Sequence, residues 1–167
     1  MYTWKRFVLL TFLLLISVFA LDGRGGTEIL NRGLVGGDNC TAFDYFSNGQ
    51  AIKLCAQTEL HTLALAASSS TTITIPAGSV VLGVSTRVTT AITGCSPNAY
   101  DVGTAATANL FADALATAID STNAGPVSRT FTAATAIRFQ CDDGVDSFTG
   151  GVIRVTIHYF VITSATS

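Results

Sequence analysis

Apolar and polar residues alternate with period two over much of residues 58–162 of this chain. The clearest runs are Thr71–Gly78, Ser79–Thr90 and Gly151–Ile162, with turn residues between them. Such a pattern buries one face of a sheet and wets the other. It predicts a first strand over Leu60–Leu65 and a second over Thr71–Ile75, with Ile73 and Ile75 inward. In Val80–Thr90 the inward set is Val80, Leu82, Val84 and Val88, and the outward set Val81, Ser85, Arg87 and Thr89. Tyr100–Gly103 reads as a short strand. Ala136–Cys141 places Ile137, Phe139 and Cys141 on one face, with Arg138 and Gln140 on the other. The closing strand turns Ile153, Val155, Ile157, Tyr159 and Val161 inward and Arg154, Thr156, His158 and Phe160 outward. About seven short strands with turns between them predict an all-β fold, an antiparallel, jelly-roll-like β-sandwich.

One segment breaks the period. Leu110, Phe111, Ala114, Leu115, Ala118 and Ile119 fall at helical spacing within residues 107–119, among many alanines. A short helix lying across the sheet and a long loop that buries Phe111 and Leu115 fit this pattern equally well.

The chain before residue 58 reads differently. Met1–Arg6 is a short basic stretch, Phe7–Ala20 an apolar run, and Val18-Phe19-Ala20 a small-x-small cleavage site, so residues 1–20 are expected to be a signal peptide. The run falls short of the ~20 residues of a spanning helix, so the membrane is expected as a partner only through this transient leader, with an uncleaved anchor as the alternative. Residues 22–39 form a Gly-rich arm, and Thr41–Gln57 suggests two short strands turning at Asn48-Gly49. The expected organisation is therefore a leader (1–20), an arm with a small disulfide-closed loop (21–57), and a β-sandwich domain (58–167). Removing Lys5 and Arg6 with the leader takes the net charge from −2 to −4. That balance argues against a nucleic-acid partner, which needs a basic footprint.

The four cysteines, Cys40, Cys55, Cys95 and Cys141, allow three pairings in an exported chain. Nearness favours Cys40–Cys55, which leaves Cys95–Cys141. Four buried thiols are the alternative. Asn39-Cys40-Thr41 matches a glycosylation sequon, meaningful only in a eukaryotic secretory route.

Four stretches together resemble a recurrent C-terminal β-sandwich module of tailed-phage tail-fibre and other virion-surface proteins. They are TTITIPAGSVVLGVSTRVTTAITG (71–94), YDVGTAATANLFA, FTAATAIRFQ and FTGGVIRVTIHYFVI. The resemblance covers about residues 58–162, and the leader and cysteines are additions to that pattern. It implies a non-enzymatic, often trimeric module that presents or recognises surface glycans.

Candidate chemistry is sparse. Of the two histidines, His61 and His158, neither sits near a Gly-x-Ser-x-Gly elbow, and no catalytic constellation is legible. Asp142-Asp143-Gly144-Val145-Asp146 is the acidic cluster. It reads as a solvated hairpin loop rather than a Ca²⁺ site, because EF-hand spacing is absent. Asp101 and Asp113 could add ligands only if the fold brings them close. No metal or cofactor is expected. Arg87, Arg138, Arg154 and His158 face outward and, on neighbouring strands, would form a polar strip for an anionic sugar or an adjacent subunit. The expected role is a non-enzymatic surface or structural module, secreted or on a virion, with itself as partner (a trimer or filament) and a surface glycan as ligand. The alternative is a secreted filament or adhesin subunit, assembled by strand addition through the N-terminal arm.

Overall fold

The computed structural model describes residues 39–45 and 51–163, and every regular element among them is a strand. The leader, the arm up to residue 38 and the Asn48-Gly49 turn lie outside the described residues. The strands are β1 (Asn39–Tyr45), β2 (Ala51–Thr62), β3 (Ser68–Ile75), β4 (Ser79–Thr93) and β5 (Ala99–Gly103). They continue with β6 (Ala112–Ala116), β7 (Thr122–Phe131), β8 (Thr135–Cys141) and β9 (Gly150–Thr163). They form two antiparallel sheets, ordered β1-β2-β9-β4-β7 and β3-β8-β5-β6.

The pairings β2–β9, β3–β8, β4–β7 and β5–β6 are nested first with last. This is one long hairpin rolled into two layers, a jelly roll, with β1 added at an edge. β2 runs unbroken across residue 58, so residues 51–57 belong to the larger sheet rather than to a separate loop region. The expected strand Leu60–Leu65 is the tail of β2 and the turn after it.

Two disulfides pin the ends of this roll. Cys40–Cys55 joins directly opposed residues of β1 and β2. Cys95–Cys141 ties a residue two positions past β4 to the last residue of β8.

Between the layers lies one core. Ile153, Val155, Ile157 and Tyr159 of β9, with Val84 and Val88 of β4, meet Ile137, Phe139 and Cys141 of β8 and Tyr100 and Val102 of β5. Alternation along β8 and β9 follows the period-two expectation.

One expectation fails and one open alternative is resolved, each for an identifiable reason. In β4, Val81 is buried, while Val80 and Leu82 turn to the outer face. A bulge between Val81 and Gly83 inserts one residue and shifts the phase, so the inward set becomes Val81, Val84, Thr86 and Val88. No helix forms over 107–119. Instead Phe111 is buried against Phe131, at 6.4 Å between ring centroids, and Ala112–Ala116 pairs with the edge of β5. Local alanine propensity yields because a helix here would leave the β5 ladder unpaired.

Candidate functional site

The outward strip assembles only in part. Arg87 and Arg154 are direct cross-strand partners on the outer face of the larger sheet. His158 lies four residues beyond Arg154 on that face, its Nε2 at 3.1 Å from Ser85 Oγ. Arg87 also meets Asp120 at 2.7 Å, an exposed pair that contributes at most about 1 kcal/mol. Arg138 is elsewhere: it sits on β8 of the smaller sheet, opposite Ser70 and Gly103. The four residues therefore do not share a surface.

The acidic residues regroup as well. Within the expected loop, Asp143 Oδ1 accepts from the N–H groups of Val145 and Asp146, each at 3.0 Å. Those bonds hold its pKa below the usual carboxylate value. Asp146 accepts from Ser96 N–H at 2.8 Å. These two carboxylates build the loop. Asp142 instead joins Asp101 of β5 and Asp113 of β6, with one oxygen from each inside a span of 4.8 Å. Asp101 is buried, and its Oδ1 accepts from Ala114 N–H at 2.9 Å. Burial pushes its pKa up, the Ala114 N–H opposes that, and the charges of Asp113 and Asp142 raise it further. Such a trio can share a proton, or offer a hard cation three of the ~6–8 oxygens it takes.

A third constellation went unread in the sequence. His61 of β2 places Nδ1 at 2.8 Å from Glu59 Oε1 and Nε2 at 2.8 Å from Ser69 Oγ of β3. Ser69 Oγ accepts from Ala64 N–H at 2.9 Å. Glu59 Oε2 accepts from Thr72 N–H, Thr72 Oγ1 and Ile73 N–H. Those donors are free because the β3–β8 ladder breaks between Ser70 and Thr74. Burial alone would raise the Glu59 pKa, but the bonds from Ile73, His61 and Thr72 outweigh it and hold the group ionised. With Glu59 ionised, His61 Nδ1–H donates to it, and in the neutral imidazole Nε2 is the acceptor that faces the Ser69 hydroxyl.

This is the connectivity of a Ser–His–carboxylate relay. Access is what it lacks. Ser69 is 3% exposed and His61 8%, and His61 stacks on Phe139 at 5.5 Å between centroids. Ser69 also lies within a strand rather than on a sharp turn. The hydrogen bonds of Glu59 Oε2 and His61 Nε2 join β2 of one sheet to β3 of the other. The legible trace was Glu59-x-His61 on one face of a strand; Ser69 is brought to it by the fold.

No family model matches this chain. No curated protein matches it. Among solved structures it is similar to a chain of the cyanophage Pam1 capsid asymmetric unit, at 17% identity and a TM-score of 0.42, over 83% of this chain and 99% of that one. That likeness is too distant to carry a function across.

Proposed function

We propose that this chain is a non-enzymatic structural module that assembles with copies of itself on the surface of a virion. Carrying this reading is the apolar character of the outer face of the larger sheet, where Ile52, Leu60 and Ile162 are all exposed. A lone subunit in water gains nothing from such a face. The resemblance of residues 58–162 to virion-surface modules supplies the setting. The closed Glu59–His61–Ser69 chain supports a structural rather than a catalytic use of the one relay-like arrangement among the described residues. A glycan would meet the Arg87–Arg154 end of that outer face.

Sedimentation of the purified native protein tests the reading. An oligomer at micromolar concentration is expected, and Ser69 should stay unlabelled by a fluorophosphonate. A monomer at all concentrations, or covalent labelling of Ser69, overturns it.

A further inference from the structure

Resting on that self-assembly reading, we propose that the outer face of the larger sheet, centred on β2, β9 and β4, is where a second copy of this chain docks.

β2 is apolar on the side that should be polar. Its inward positions include Gln57, Glu59 and His61, whereas Ile52, Leu54, Ala56 and Leu60 face outward. Selection for folding alone puts apolar residues on the core side. The outward set continues across the sheet. Ile52 opposes Ile162, and Leu54, Phe160 and Val80 form one row over three strands. Three of the six exposed large apolar side chains among the described residues, Ile52, Leu60 and Ile162, lie on this face.

Beside that ridge the same face is hollowed. The bulge at Val81/Gly83 faces Pro126 and opens a groove of about 330 Å³ lined by Leu82, Ser85, Ala124, Pro126 and His158. Gly83 is needed there, because a Cβ would stand 2.7 Å from Gly125 O. Ridge and groove on one surface make that surface able to fit a copy of itself.

Size and charge agree with a second copy as the occupant. At ~3.4 Å per residue and ~4.8 Å between strands, the five strands present roughly 900 Å², against about 800 Å² per partner in a stable complex. Outward positions of β2, β9, β4 and β7 carry no carboxylate; Asp44 lies in register with Ile52 on the edge strand β1, Asp120 pairs with Arg87, and Arg87 and Arg154 stand at the end away from Phe160 and Ile162. An apolar centre with charges at its rim is interface anatomy.

The test is sedimentation velocity on wild type, Ile162→Asp, Leu60→Asp and the control Val145→Asp, each with a thermal melt. Ile162 is 61% exposed, Leu60 58%, and Val145, on the β8–β9 loop, 80%, so all three changes leave the core intact. Ile162→Asp should weaken assembly by about 100-fold, because it buries an unpaired charge in the contact, and Leu60→Asp by about 10-fold, because Arg154 opposite it partners the new charge, both with Tm unchanged. The control should assemble as wild type does. A wild-type oligomer that Ile162→Asp and Leu60→Asp leave intact overturns the docking face while self-assembly stands. A monomeric wild type overturns the self-assembly reading itself, and an acidic protein bound by the wild-type face in place of a second copy overturns the choice of occupant.

Discussion

Glu59 and Asp101 are carboxylates of the same sandwich, and the fold treats them in opposite ways. Both are largely withdrawn from water, and both accept backbone N–H groups. Glu59 receives donors on both oxygens from His61, Thr72 and Ile73, and its pKa falls despite burial. Asp101 receives one N–H, faces two further carboxylates, and its pKa rises. Burial raises the pKa of each; the number of donors against the number of like charges decides the sign.

The largest test of this contrast acts on the acidic side alone. Cys141 precedes Asp142, so the Cys95–Cys141 bridge anchors one member of the trio. Replacing both cysteines with alanine opens a closure of 46 residues and should cost about 4 kcal/mol in the chain-entropy model. NMR titration should show Asp101 relaxing toward the ordinary carboxylate value while Glu59 keeps its lowered one. An unmoved Asp101 would mean that Asp142 is held by β8 pairing and not by the bridge.

Glu59→Ala strands His61 and the N–H groups of Thr72 and Ile73 together. Denaturant titration should read a loss of about 2–3 kcal/mol. A wild-type midpoint would show that water replaces the carboxylate and that the clasp between sheets is ornamental.

Ser69→Ala removes only the far end of that chain, leaving Ala64 N–H and His61 Nε2 unpaired. The expected loss is about 1.5 kcal/mol. A larger loss than that of Glu59→Ala would reverse the order of importance along the chain.

The smallest effect separates the two carboxylates by pH. Glu59 has a folded pKa below its unfolded one, so its stabilisation is complete above the unfolded value and is lost as pH falls through the folded pKa. Asp101 is raised, so the fold prefers its protonated form, and stability increases as pH falls through its folded pKa. Tm should therefore climb slightly on mild acidification and then drop. Asp101→Asn keeps an acceptor for Ala114, removes one charge, and should abolish the climb while adding up to about 1 kcal/mol at neutral pH. A climb that survives in Asp101→Asn would assign it to another group.

Half of this contrast was within reach of the sequence. Asp101, Asp113 and Asp142 stood out as acidic, but their meeting depends on β5 lying between β6 and β8. Glu59 and His61 are two residues apart on one strand face, and nothing local marked Ser69 as their partner. Arg138 looked equivalent to Arg154 because both alternate outward on apolar strands. Strand order put them on different sheets.

What the chain determined by itself was whatever a neighbour or two can dictate. β-branched alternation made β4, β8 and β9 strands, and the inward set of β9 followed from parity alone. Cysteine nearness sufficed for Cys40–Cys55, which spans two adjacent strands. Tertiary structure decided the rest because jelly-roll partners are remote. Gln57 and Tyr159, hydrogen-bonded at 3.0 Å, are 102 residues apart, and no local period encodes which distant strand will close against which. The bulge that turned Val81 inward and the edge that drew residues 112–116 into β6 arise only once those partners are in place.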